Sequence, residues 1–164
     1  CDIKLSVSAT TRTPREGEVE GRDYFFLNKE EFSSMLNSGG FLEYAQVYTN
    51  MYGTRKEYVL ENLRQGFDVL LEIDIQGAMQ VKSKMPQGVF IFIEPPSAEE
   101  LANRICNRGK DSEESIARRL AAFEEEMEHL SYYDYSVVND KLEDAVNKIQ
   151  AIIVAERCRI KNKC

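Results

Sequence analysis

The sequence predicts an α/β domain in three layers, a parallel sheet with helices packed on its faces, and three observations carry the prediction. Apolar runs of strand length alternate with segments of helical spacing along most of the chain. One of these runs, Val89-Phe90-Ile91-Phe92-Ile93, is apolar at every position, as a strand covered on both faces requires. The 164 residues, 43% hydrophobic and 30% charged, suffice for one compact core and leave no room for a second large domain.

Each element follows from local chemistry. Residues 4–7 form a short apolar strand. Asn28 caps a helix over 29–36, and Glu31, three residues later, completes a capping box. Residues 42–48 have strand character, after which Tyr52-Gly53-Thr54 marks a turn. Val59, Leu60 and Leu63 give 56–65 helical spacing, and Gly66 stops it. The run 68–73 is a strand, and 76–84 a helix ended by Pro86. Pro95-Pro96 breaks the strand at 89–93; Ser97 then caps a helix that runs to about Arg108, with Glu100 at the capping-box position. Ser112 opens a longer helix to about Leu130, with acidic residues in its first turn where the macrodipole favours them. The last strand is 136–138, and the closing helix runs from Leu142 to about Arg157. Residues 23–58 are richer in short strands and aromatics and form an inserted lobe.

Composition excludes several classes of function. A net charge of −7 argues against sequence-independent nucleic-acid binding, which needs a basic face to displace counterions. An acidic protein with an anionic substrate must concentrate its positive charge locally, and Arg12 with Arg15 and the arginines from Arg104 to Arg119 do so. No apolar run approaches the ~20 residues that span a bilayer, and Cys1-Asp2-Ile3-Lys4 shows no signal-peptide pattern. A soluble, cytoplasmic protein without a membrane or nucleic-acid partner is expected, as a monomer or homodimer. Cysteines 1, 106, 158 and 164 lack C-x-x-C spacing and accompany a single histidine, so free thiols are expected rather than a zinc set. Cys106, on the helical side of Leu101 and Ile105, is expected to be a small buried hydrophobe.

The chemistry concentrates in a few blocks. Ser6-Val7-Ser8-Ala9-Thr10-Thr11-Arg12-Thr13-Pro14-Arg15 ends a strand in hydroxyls and sets two arginines three residues apart, an arrangement that can fork onto one phosphate. Downstream come Gly17-Glu18-Val19-Glu20-Gly21-Arg22-Asp23-Tyr24-Phe25-Phe26, Phe41-Leu42-Glu43-Tyr44-Ala45, Asn50-Met51-Tyr52-Gly53-Thr54 and Leu70-Leu71-Glu72-Ile73-Asp74-Ile75-Gln76-Gly77-Ala78. Then follow Arg108-Gly109-Lys110-Asp111-Ser112-Glu113-Glu114 and Val137-Val138-Asn139-Asp140. In this order the set resembles the guanylate kinase family, from about Leu5 to about Arg157.

The resemblance implies a P-loop-kinase-like domain with a parallel core sheet (1–22, 59–103 and 131–164), an inserted GMP-binding lobe (23–58) and a helical lid (104–130). Members of that family open with a strand, a phosphate loop G-x-x-x-x-G-K-[ST] and a helix. No such run occurs in this chain, so a strand-loop-helix unit of ~30 residues is expected ahead of Cys1. The implied activity is phosphoryl transfer from ATP to GMP, giving ADP and GDP, with Mg2+ accompanying ATP.

Guanine presents an O6 acceptor beside N1–H and N2–H donors, so a site that selects it needs a carboxylate for the donors and a hydroxyl or N–H for O6. By resemblance Glu43 is that carboxylate, Ser8 and Thr54 are the hydroxyls near O6 and N7, and Asp74 reaches the 2-amino group. A site built this way rejects the wrong base by leaving its own polar groups unpaired. Resemblance assigns Arg12 and Arg15, with the phenols of Tyr24 and Tyr52, to the monophosphate. Arg104, Arg108 and Arg119 match the lid arginines that neutralise the transferring phosphoryl group, with Arg118 able to exchange roles with Arg119. Asn139 resembles a residue flanking the donor adenine. Glu72 stands where the family commonly has Asp, and no dedicated metal cage is expected. The alternative is a guanylate-kinase-like binding module or fragment that holds a ligand in the GMP site without turnover.

Overall fold

A computed structural model describes residues 2–107, 121, 123 and 126–160, and the chain divides into two compact units, Cys1–Gly88 and Val89–Cys164. In chain order the first unit contains β1 (Ile3–Leu5), β2 (Ala9–Thr10), β3 (Phe25–Phe26), α1 (Lys29–Asn37), β4 (Phe41–Val47), β5 (Asn50–Arg55), α2 (Lys56–Arg64), β6 (Asp68–Leu70) and α3 (Ile75–Lys84). The second contains β7 (Ile91–Glu94), α4 (Ala98–Asn107), a 3-10 turn at Leu130–Tyr132, β8 (Tyr135–Val138) and α5 (Leu142–Arg157).

In the first unit β1 and β6 pair in parallel, Ile3 opposite Asp68 and Leu5 opposite Leu70. A separate four-stranded sheet has the order β3-β2-β5-β4, parallel between β2 and β3 and antiparallel elsewhere. Its core is aromatic: Phe32 of α1 stacks on Phe41 of β4 with ring centroids 4.4 Å apart, against a fully buried Ala9. The predicted capping box holds α1, since Asn28 Oδ1 accepts from the Glu31 N–H while Glu31 accepts from the Asn28 N–H, each at 2.8 Å.

The predicted turn at Tyr52-Gly53-Thr54 is corrected. Those residues lie within β5, and the chain reverses at Tyr48-Thr49, where Val47 pairs with Asn50 and Tyr48 takes a φ of 54°. Gly53 serves close packing instead. A Cβ there would stand 2.9 Å from both the Glu43 carbonyl oxygen and the Phe41 ring. The predicted strand 68–73 stops at Leu70, because the chain leaves the ladder to bring Asp74 to the N-cap of α3, where Oδ1 accepts from the Gly77 N–H at 2.8 Å.

In the second unit β7 and β8 run parallel, from Ile91 opposite Tyr135 to Glu94 opposite Val138. Phe92 is buried and Ile93 is exposed, so the two faces of β7 are unequally covered rather than both closed. Ser97 Oγ accepts from the Glu100 N–H at 3.1 Å, as its capping role requires. Cys106 is exposed, against expectation: Ile105 takes the inward position, and a helix turns about 100° per residue, which carries its neighbour outward. Most of the predicted helix 112–130 lies outside the described residues. No helix among the described residues is long and apolar enough to cross a membrane.

Candidate active site

A cavity of about 410 Å³ opens in the first unit, and five of the residues singled out from the sequence line it: Ser8, Tyr24, Glu43, Tyr52 and Asp74. Glu43 on β4 faces Thr54 on β5 across the antiparallel ladder. The Thr54 hydroxyl donates to Glu43 Oε1 at 2.5 Å, and the two residues are only 1% and 7% exposed. Burial pushes the Glu43 carboxyl above its ordinary value; hydrogen bonds from Thr54 and the charge of Lys84 oppose the rise, and Asp74 adds to it. Thr54 therefore does not sit as an independent donor, since its one proton is committed to Glu43.

Asp74 reaches the same corner from α3. Gly77, one turn into that helix, lies between the two carboxylates: a Cβ placed on it would stand 3.2 Å from Glu43 Oε2 and 3.4 Å from Asp74 Oδ1. The absence of a side chain at this point lets both acids converge on the helix start. Glu72 lines the cavity as well and is exposed. Among the described residues no three His, Cys, Asp or Glu side chains gather as a metal site.

The tyrosines form the other side of the cavity. Tyr24 and Tyr52 meet edge to face, ring centroids 6.0 Å apart and planes at 69°. Beside them the Arg12 guanidinium lies 5.3 Å from the Tyr24 centroid, and it is already engaged. Its Nη1 and Nη2 fork onto Glu18 at 3.0 and 2.7 Å, and Nη1 also donates to the Thr13 carbonyl at 2.8 Å. The ion pair holds the Arg12 pKa above and the Glu18 pKa below the ordinary values, the hydrogen bonds between them being the largest cause on each side. Arg15 is exposed; its backbone N–H, rather than its side chain, joins Glu18 Oε2 at 2.7 Å. Glu18 thus organises this segment, a role its place in the motif did not reveal.

Arg104, in the second unit, is tied to its own neighbourhood. Its Nε donates to Glu100 Oε1 at 2.8 Å, Nη1 to the Asn139 carbonyl at 2.8 Å and Nη2 to the Asp140 carbonyl at 3.2 Å. Arg104 and Asn139 are therefore brought together through the backbone of the β8 exit, and the Asn139 N–H donates to the Glu94 carbonyl at 2.8 Å. Arg108, Arg119 and Arg118 lie outside the described residues. Gly77, Gln80 and Lys84 were missed as site-building residues. An isolated glycine in a helical pattern was the one available signal, since such a residue often marks a close approach.

Known proteins share the sequence and the fold over nearly the whole chain. A model of the family "Guanylate kinase" matches residues 2–156. The guanylate kinase of Syntrophomonas wolfei is 62% identical over 161 residues, covering 98% of this chain and 83% of the relative. That of Caldanaerobacter subterraneus subsp. tengcongensis is 58% identical over 159 residues, covering 97% and 77%. The crystal structure of guanylate kinase from Anaplasma phagocytophilum superposes with a TM-score of 0.75 at 38% identity, over 97% of this chain and 78% of that one. The chain spans 83% and 77% of the length of these two curated relatives, and the matches do not favour the binding-module alternative. The mixed α/β fold with parallel strands is of the P-loop-kinase type, and by the extent and identity of these matches the chain belongs to the guanylate kinase family.

Proposed function

We propose that this protein transfers the γ-phosphoryl group of ATP to GMP, and that the cavity of the first unit is the GMP site. A phosphate oxygen of GMP attacks the γ-phosphorus in line, the bond from that phosphorus to the β-bridging oxygen breaks, and ADP leaves as GDP forms. No side chain is covalently modified. Protein groups position the two nucleotides and neutralise charge on the equatorial oxygens.

Glu43 carries the reading. A buried carboxylate that receives one neutral hydroxyl keeps acceptor sites for two parallel N–H donors, and guanine N1–H with N2–H supplies them, whereas adenine has no N–H at N1 to offer. Asp74 spends Oδ1 on the Gly77 N–H and uses its second oxygen for the remaining 2-amino proton. Ser8 meets O6, and Thr54 acts on the base through the carboxylate it holds. The phenols of Tyr24 and Tyr52, with Arg12 and Arg15, take the 5′-phosphate. Arg12 does so by sharing or exchanging its Glu18 partner. Arg104, Arg108 and Arg119 act on the transferring group, and Asn139 borders the donor adenine. Magnesium would accompany ATP as its counterion, neutralising phosphate charge while keeping most of its own waters, so that no dedicated cage of protein carboxylates is required. The protein acts in the cytoplasm.

Titration calorimetry with GMP tests the reading. Replacing Glu43 by Gln, which swaps one acceptor for a donor, is expected to raise the GMP Kd by two orders of magnitude or more, about 3 kcal/mol. Because burial raises the Glu43 pKa, GMP affinity of the parent is expected to climb with pH as this group ionises, and Glu43→Gln to lose that limb. Equal GMP affinity in the two proteins would remove the assignment.

A further inference from the structure

Among the described residues β4 pairs on one side only, with β5, and so presents a free backbone edge. At Tyr44 that edge is closed by a side chain. The Tyr44 N–H donates to Gln80 Oε1 at 3.2 Å, and Gln80 Nε2 donates to the Tyr44 carbonyl at 3.0 Å. A primary amide carries one acceptor and one donor side by side, so Gln80 supplies what a neighbouring strand would have supplied.

Gln80 does not act alone. Gly77, Gln80 and Lys84 fall on one face of α3 at spacings of three and four residues. Gly77 abuts the Glu43 carboxylate, Gln80 clasps Tyr44, and Lys84 Nζ donates to the Phe41 carbonyl at 3.0 Å. Three successive contacts therefore fasten α3 along β4. Glu43 belongs to β4 and Asp74 is the N-cap of α3, so any slip of the helix along the strand changes the spacing of the two carboxylates.

We propose that Gln80 is a positioning residue for guanine selectivity: its amide clasp on the Tyr44 backbone sets the distance between Glu43 and Asp74 at which both reach the 2-amino edge. The inference rests on the assignment of Glu43 and Asp74 to the base. Glu43 by itself can take N1–H from any 6-oxopurine, but a base without the 2-amino group offers nothing to Asp74. Spacing between the acids consequently matters for GMP and hardly for inosine 5′-monophosphate, which lacks that group.

The test compares Kd values for GMP and inosine 5′-monophosphate in the parent, Gln80→Leu, Asp74→Asn and the double variant, with urea midpoints as a check of folding. Asparagine keeps the helix cap while removing the second acceptor oxygen. Gln80→Leu is expected to weaken GMP on the order of tenfold and inosine monophosphate less than about threefold, the scale of the hydrogen bonds removed. In the Asp74→Asn background Gln80→Leu should leave the ratio of the two affinities unchanged, because the group it positions is no longer an acceptor. Equal losses for both ligands, no loss for either, or the same change of ratio in both backgrounds would overturn the proposal. Should Gln80→Leu fail to fold, Gln80→Glu, which keeps only the acceptor half of the clasp, is judged by the same ratios. If Glu43→Gln leaves GMP affinity intact, the base assignment itself fails and this inference with it; if Glu43→Gln weakens GMP while the Gln80 ratios stay flat, only the role of Gln80 falls.

Discussion

Glu43 and Arg12 are held in opposite ways. The partner of Glu43 is Thr54, a neutral hydroxyl one strand away with 1% of its surface exposed, whereas the partner of Arg12 is Glu18, a full charge on a loop. A hydroxyl fills one acceptor site of a carboxylate and leaves the others for a ligand. A bidentate carboxylate fills the very fork that a phosphate would take. On the proposed assignment, the base side is thus assembled before any nucleotide arrives, while the phosphate side has to exchange or share a partner. In the second unit Arg104 repeats the second pattern, with Glu100 and two backbone carbonyls on its guanidinium. On the same assignment, base selectivity rests on a neutral hydrogen bond, and the cations stand in ion pairs that a phosphate would have to share or displace.

The contrast can be broken most heavily at its scaffold. Phe41 is 2% exposed, stacks on Phe32 and belongs to the strand that carries Glu43, so Phe41→Ala should remove roughly 3–5 kcal/mol of stability, read as a fall in the urea midpoint. On the phosphate side Arg12→Lys replaces a fork by a point charge. GMP and inosine monophosphate should both weaken on the order of thirtyfold, with no change in their ratio. An altered ratio would mean that the two corners are not independent.

Gly77→Ala acts at smaller amplitude on the corner where the two carboxylates meet. The added methyl would crowd Glu43 Oε2 at 3.2 Å and Ile73 Cβ at 3.3 Å and just touch Asp74 Oδ1 at 3.4 Å, so GMP affinity should fall roughly tenfold. Alanine favours the helix by about 0.5–1 kcal/mol over glycine, so stability should hold or rise. Lost affinity together with lost stability would point to general disruption rather than displaced carboxylates.

The smallest effects differ in sign. Burial raises the Glu43 pKa in the folded protein, so its contribution to stability is fully present below the usual carboxylate range and is lost as pH rises through the raised value. Glu18 is shifted down by Arg12, so its contribution is present above the usual range and is lost as pH falls through the lowered value. Urea midpoints measured between about pH 3 and pH 8 should show Glu43→Gln gaining on the parent toward neutral pH. Glu18→Gln should instead lose to the parent there and converge with it in acid. Parallel profiles for the two variants would erase the distinction between the corners.

What was legible from the sequence lies within a turn or two of itself. The capping box of Asn28 and Glu31, the Ser97 cap, the stop at Gly66 and the closing helix Leu142–Arg157 all hold, because caps, apolar spacing and the conformational freedom of glycine act between residues a few positions apart. Of the motif residues assigned to GMP, Ser8, Tyr24, Glu43, Tyr52 and Asp74 line one concavity, whereas Arg12, Arg15 and Thr54 are not among its lining residues. Tertiary structure alone decided the rest. The two-residue strands Ala9–Thr10 and Phe25–Phe26 have no periodicity of their own and exist because the sheet pairs them. Gly53 looked like a turn until Phe41 and the Glu43 carbonyl closed on it. The clasp of Gln80 on Tyr44 joins residues 36 apart in the chain, and no local preference anticipates it. A residue's partner across such a distance depends on how whole elements pack, and packing is set by surfaces that come together only when the chain has folded.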